Sequence, residues 1–266
     1  MSAVPSDPLR REPVRIVYAD GRTSDDLRGI AVEAPVAIEV DGLGYAVMMM
    51  TPRDLAAFAT GFMLTERLAD RPDEIVAVEP FEAADGWILR IVLAPTCAGR
   101  IHDRVRHRSS DTSCGLCGIA GLEQLRRPVA ARPPRPTVTA AAIFAAGAAL
   151  RAHQPINAAT GAVHAAAACD ADGRIVAAFE DVGRHNALDK LIGARAGHSD
   201  AFLFVTSRLS FEMVDKALVA ATPLLAGISA PTAMAVDHAR AHGLTLVGLA
   251  RADSLIVLHD PYRVFG

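Results

Sequence analysis

The chain has 266 residues, of which 51% are hydrophobic and 21% charged; 27 Lys+Arg stand against 30 Asp+Glu, a net charge of −3. That composition supplies a packed core for one or two domains and excludes a disordered chain. The near-neutral balance argues against a protein that coats nucleic acid or an anionic membrane, so neither is expected as a partner.

Residues 1–13 contain no apolar signal-like core and read as a disordered tail. Apolar runs follow at Val14–Tyr18, Val36–Val40 and Tyr45–Met50, with Asp41-Gly42-Leu43-Gly44 as a hairpin turn between the last two. Thr51-Pro52-Arg53-Asp54 offers an N-cap, a proline at the first helical position and an acid at the third. Leu55, Phe58 and Phe62 continue as a helical face to about Leu68. Glu74–Glu79 and Trp87–Leu93 return to strand character, so 14–96 forms a small α+β domain. Residues 97–136 read as an Arg-rich loop and linker: 97–135 hold eight arginines against three acids, a local excess of +5, and end in Pro133-Pro134-Arg135-Pro136.

The remainder, 137–266, reads as an α/β domain. Thr137 or Thr139 caps a helix reaching about His153. Val163–Cys169 and Ile175–Phe179 pair as strands about an Asp170–Gly173 turn, and Asn186–Arg195 is helical. Strands at Ala201–Val205, Leu224–Ile228 and Leu244–Leu249 alternate with helices at Ser207–Ala221 and Pro231–His242, and Leu255–Leu258 is a further strand. This order predicts parallel strands whose ligand binds beyond their carboxyl ends. Those ends are Thr206-Ser207-Arg208, Ser229-Ala230-Pro231 and Ala250–Ser254, and two of them open helices, which suits phosphate. Ordinary helix capping explains the same residues. The longest stretch without a charged side chain, Ala217–Val236, is broken by Pro223, Gly227 and Pro231 and reads as buried core rather than a membrane span.

Four cysteines, Cys97, Cys114, Cys117 and Cys169, are too few and too irregular for a disulfide scaffold, which places the chain in a reducing cytosol. Ser113-Cys114-Gly115-Leu116-Cys117-Gly118 is the densest chemical signal and supports three readings. Zinc needs four ligands, and His102 and His107, or His164, could complete a set, although among arginines or without the glutamate a deaminase requires. A thiol–disulfide oxidoreductase pair should follow a strand and open a helix, which this one does not. A nucleophilic thiolate gains from the surrounding positive charge, which lowers its pKa and attracts anionic substrates. Cys97 and Cys169 are isolated and read as inert core residues.

Glu180–Lys190 (EDVGRHNALDK) is the second cluster, with acids, Arg, His, Asn and Lys around one helix start. Capping and a solvated face account for most such patterns. Lys190 and Lys216 are the only lysines beside 25 arginines; a general composition bias is the simpler explanation of that skew, and the sharper one is that arginine's planar fork does not serve at these two positions.

These motifs resemble the formate dehydrogenase accessory sulfurtransferase family, FdhD. The matching stretches are VAIEVDGLGYAVMMMTPRDLAAFATGFMLTE (36–66), SCGLCG (113–118), TGAVHAAA (160–167), EDVGRHNALDKLIG (180–193), TSRLSFEMVDKA (206–217), ISAPTAMAVDHARAHGLTLVGLAR (228–251) and HDPYRV (259–264). The resemblance implies an α/β fold with a cytidine-deaminase-like three-layer core and a smaller N-terminal α+β domain, in a cytoplasmic homodimer. It implies a sulfurtransferase that accepts sulfur from a cysteine desulfurase as a persulfide. The sulfur passes to the bis-molybdopterin guanine dinucleotide form of the molybdenum (or tungsten) cofactor, cargo destined for the formate dehydrogenase catalytic subunit; no tightly bound metal of the protein's own is implied. By motif position Cys114 holds the persulfide and Cys117 assists. The family's cofactor-binding stretch maps to Leu249, Ala250, Arg251, Ala252, Asp253 and Ser254, and the strand-end argument adds Ser207 and Ser229. Leu249, Ala252 and Asp253 replace an aromatic residue and glycines usual in the family, and Ala162 replaces another glycine. A zinc-stabilised binding protein and a thiol–disulfide oxidoreductase remain the alternatives on the cysteine pair alone.

Overall fold

The computed structural model describes residues 7–105 and 132–266; Cys114, Cys117 and most of the Arg-rich stretch lie outside them. The chain opens with an antiparallel ribbon of β1 (Leu9–Val17) and β2 (Thr23–Ala31). Residues 9–13 are therefore strand rather than a disordered tail. Their polar sequence hides the strand because the backbone ladder and the Arg15–Asp25 pair (2.8 Å), not burial, hold the ribbon together.

A four-stranded sheet follows, ordered β4-β3-β6-β5. It comprises β3 (Ala34–Val40), β4 (Leu43–Met50), β5 (Ile75–Ala83) and β6 (Gly86–Leu93). The β3–β4 turn is shorter than expected, only Asp41 and Gly42, both with positive φ (50° and 78°). That geometry matches the right-handed twist of the flanking strands and favours glycine at its second position. Alternate residues of β3 (Val36, Ile38, Val40) turn inward onto helix α1 (Leu55–Thr65), packing with Phe58, Phe62 and Met63.

The helix begins three residues later than the Thr-Pro signal predicts. Asp54 occupies the N-cap in a left-handed conformation without a side-chain cap, because Thr51 is engaged elsewhere. Helix α2 (Ala98–Val105), not foreseen, follows β6, and Ile101 on it joins the same core.

The second unit is a six-stranded sheet ordered β12-β11-β10-β9-β7-β8, with helices on both faces. Helix α3 (Ala140–Ala149) is capped by the Thr139 hydroxyl, which accepts from the Ala142 amide, and is followed by short helix α4 (Pro155–Thr160). Strands β7 (His164–Cys169) and β8 (Ile175–Asp181) pair antiparallel. Helix α5 (Arg184–Ala194) leads to β9 (Phe202–Val205). Then come α6 (Phe211–Val219), β10 (Leu224–Gly227), α7 (Ala233–His242), β11 (Thr245–Gly248) and β12 (Ile256–His259).

β9, β10 and β11 are parallel, as the β-α-β pattern requires, while β7 and β12 flank them antiparallel. Helix α3 covers one face over Cys169, Phe202, Phe204 and Ala226. Helices α5, α6 and α7 cover the other over Ala166, Leu203, Leu225 and Leu246. The core is thus three layers. The Ala217–Val236 stretch is divided among α6, β10 and α7, and no helix of the described residues is long and apolar enough to cross a membrane.

Helices α1 and α5 join the two units face to face. Gly61 of α1 and Gly193 of α5 permit the approach: a Cβ on Gly61 would collide with the Asp189 carbonyl, and one on Gly193 with the Ala57 carbonyl. Backbones this close leave no room for even a methyl group.

Candidate functional site

The antiparallel polarity of β7 brings its first residue to the carboxyl edge of the parallel strands. His164 sits opposite Asp181 in the β7–β8 register, and the Thr206 amide donates to the Ala165 carbonyl (3.0 Å). The β8–α5 turn, the β9–α6 turn and the ends of β10 and β11 therefore share one edge. The EDVGRHN cluster and the predicted strand-end residues, far apart in sequence, meet there.

The β8–α5 turn is anchored from below. Asp181 is fully buried and accepts from Lys190 Nζ (2.6 Å), the Thr51 amide (3.1 Å), the Gly183 amide (2.8 Å) and Asn186 Nδ2 (3.0 Å). Lys190 also donates to the Thr51 carbonyl (3.0 Å), and the Val182 amide donates to the Thr51 hydroxyl (3.2 Å). One turn further along α5, Asp189 accepts from Lys216 Nζ (2.8 Å) and the Thr65 hydroxyl (2.8 Å). Both lysines thus lie in buried ion pairs, Lys190 tying α5 to the end of β8 and Lys216 tying α6 to α5, with Thr51 and Thr65 bonded to them, and Asp189 and Lys190 are not a solvated face. A compact ammonium with three tetrahedral donors fits these sites, where a planar guanidinium does not.

Above this anchor the edge is electropositive. Arg184, His185, His164 and Arg208 gather there, and the nearest acids, Asp181 and Glu180, are committed to other donors. Burial and the neighbouring Arg184 and Arg208 push the His164 imidazole pKa down. Burial, then Lys216 and Arg184, push His185 down to about 3, so its ring is neutral near pH 7. Its Nε2 lies 4.0 Å from Glu212.

The predicted cofactor residues divide in two. Ser207 is buried and its hydroxyl donates to the Arg208 carbonyl (3.1 Å), so it faces inward. The Leu249, Ala250 and Arg251 amides are taken by the Ser229, Gly227 and Ser254 carbonyls. Ser229 therefore contributes its carbonyl to the loop, and the backbone of 249–251 has no free donor for a ligand. Leu249 also sits at φ 50°, a left-handed conformation uncommon for a leucine. Arg251, Ala252, Asp253 and Ser254 are exposed at the rim, with the Ser254 hydroxyl on Asp253 (3.1 Å).

Of the two helix starts proposed for phosphate, that of α7 is capped by its own Thr232, which accepts from the Ala235 amide (3.3 Å). Beside the 249–254 loop opens a cavity of about 390 Å³ lined by Ile143, Phe144, Gly147, Ile228, Ala250 and Arg251. The sequence reading missed its α3 wall. Phe144 is the only aromatic residue of the Ala-rich helix, the one signal that marks it.

Cys97 and Cys169 are buried, and burial pushes the Cys169 thiol up to about 12, which leaves it a protonated core residue. Among the described residues no three His, Cys, Asp or Glu are arranged to hold a metal ion.

The model of the FdhD/NarQ family matches residues 31–265. The chain is 42% identical over 272 residues to the sulfur carrier protein FdhD of Variovorax paradoxus, covering 100% of this chain and 98% of that one. It is 43% identical to the protein of the same name from Xanthomonas campestris pv. campestris (99% and 96% covered) and 41% identical to that of Bordetella parapertussis (97% and 95%). A crystal structure of a candidate formate dehydrogenase accessory protein from Desulfotalea psychrophila shares the fold, with a TM-score of 0.76, 22% identity and 97% and 100% coverage. The chain belongs to the FdhD/NarQ family.

Proposed function

We propose that the protein is a sulfur carrier in formate dehydrogenase maturation, working as a cytoplasmic homodimer on a cytidine-deaminase-like core. The Cys114 thiolate attacks the terminal sulfur of a persulfide on a cysteine desulfurase. A new S–S bond forms on Cys114, the donor's S–S bond breaks, and the donor cysteine leaves as a thiolate. Cys117 assists release of the sulfur to the guanine-dinucleotide molybdenum cofactor, which is the substrate. The +5 excess of residues 97–135 favours the thiolate and draws the anionic substrate.

Family membership over 31–265 supports the carrier reading. The observation that carries the substrate reading is the cavity beside Ala250 and Arg251. It pairs an apolar floor and one aromatic ring with a guanidinium at its mouth, the combination that takes a flat polar heterocycle.

Incubation with desulfurase and cysteine should add the mass of one sulfur atom to Cys114, detected by mass spectrometry. A yield unchanged in Cys114→Ala overturns that assignment. Calorimetry should show GDP binding that is weakened in Ala148→Trp, which puts a large side chain on the cavity wall. Absence of GDP binding by the parent protein removes the guanine site.

A further inference from the structure

We propose that His164, Arg184 and Arg208 form a cradle for a phosphate or diphosphate group, a second half of the strand-end site lying beyond β7 and β9. The proposal rests on the guanine reading for the rest of the ligand, but not for the anion.

The convergence is fixed by register. His164 opens β7 opposite Asp181, Arg184 stands three residues beyond Asp181, and Arg208 two beyond Thr206, whose amide is bonded to Ala165. Two guanidinium charges at this point outnumber the one uncommitted carboxylate, Glu212, which stands 4.0 Å from the neutral His185 ring. Among the described residues neither guanidinium has an ion pair or hydrogen bond, whereas Arg67, Arg100 and Arg195 are each held by an aspartate (Asp215, Asp70 and Asp200). Asp181 and Glu180 cannot serve, since they already hold Lys190 and the backbone amides of 51, 183, 156 and 157. Glu212 faces His185 instead.

Arg184 Nε and Ser210 Oγ are buried without partners. Native proteins rarely leave buried donors unmatched, and such groups call for a ligand or water. Ser210 is the N-cap of α6 but makes no cap bond, unlike Thr139 and Thr232 at their helices. Burial lowers the His164 pKa first, and the nearby Arg184 and Arg208 lower it further.

The cavity beside β10 and β11 lies about two strand spacings away, roughly 10 Å. A nucleoside diphosphate with its ring in that cavity would cross the strand ends and bring its phosphates to the cradle. Arginine suits this role because its fork engages two phosphate oxygens at once.

The test is calorimetry on the full chain with inorganic pyrophosphate and with GDP. The parent protein should bind both. The double variant Arg184→Gln/Arg208→Gln should lose pyrophosphate and bind GDP about tenfold to a hundredfold more weakly. Ala148→Trp, on the cavity wall, should lose the extra affinity for GDP and keep pyrophosphate. If the double variant disturbs the fold, Arg208→Ala alone, at an exposed position, must still weaken pyrophosphate at least about threefold. The cradle is overturned if the parent protein does not bind pyrophosphate, or if these arginine variants bind it as the parent does. Pyrophosphate binding that is lost in the double variant, with GDP binding no tighter than pyrophosphate, supports the cradle and rejects the guanine pocket.

Discussion

The α1–α5 contact and the carboxyl edge of the six-stranded sheet stand at opposite ends of the same polar design. At the contact every buried charge is matched: Asp181 has four donors, Asp189 has Lys216 and Thr65, and two glycines bring the helices together. At the edge charges are left open: Arg184 and Arg208 lack partners among the described residues, and Leu249 holds a strained backbone. The contact makes the two units one body, while the edge keeps the unsatisfied groups a ligand can use. Substitutions should therefore separate stability from binding according to region.

The largest effect is expected from Lys190→Ala. It strands a fully buried carboxylate and should cost about 3–5 kcal/mol by urea denaturation; a change below about 1 kcal/mol would show that the pair is not buried in solution. Next is Gly61→Ala, whose methyl meets the Asp189 carbonyl and should cost about 3 kcal/mol by the same measurement.

At the edge itself the expected effect depends on pH. The folded pKa of His185 is depressed from 6.5 to about 3. Its contribution to stability is thus present above pH 6.5 and is lost as pH falls toward 3, because the unfolded chain takes up the proton first. Between pH 6.5 and 4.5 the parent protein should lose about 2 kcal/mol more than His185→Asn, read from denaturation midpoints. Equal losses would place the imidazole in solvent.

The smallest effects belong to the exposed Arg208 and the half-buried Leu249. Arg208→Ala should change stability by no more than about 0.5 kcal/mol. Leu249→Gly, which relieves the left-handed strain, should be neutral or stabilising by up to about 1 kcal/mol. A large loss in either would erase the division between the two regions.

Much of this was readable in the sequence where local chemistry dictates structure. Thr139 caps α3, Asp41-Gly42 turns a hairpin, and the alternating strands and helices after Ala201 give the parallel β9, β10 and β11, although α7 starts at Ala233 after a Thr232 cap rather than at Pro231. The rarity of lysine foretold two special positions, and both proved buried and paired.

What remained hidden depends on residues distant in the chain. Thr51 reads as a helix cap, yet 130 residues downstream Asp181 claims its amide. Ser207 reads as a ligand group, yet its hydroxyl turns to its own loop. Phe144 draws no notice in an Ala-rich helix until the ends of β10 and β11 place a cavity against it. The strand at 9–13 is invisible because the ribbon holds by backbone pairing, without a hydrophobic alternation.

The reversed strand β7 has a consequence for how the protein comes to be active. Because β7 runs against β9, the edge gathers the start of one strand and the ends of four others, from positions near 164, 184, 208, 229 and 250. No local segment contains two of its walls. Closing such long loops is slow, and contacts of this separation form late in folding. A chain still emerging from the ribosome, or one with an outer strand undocked, has no edge to offer. Ligand capture is then confined to molecules whose folding is finished.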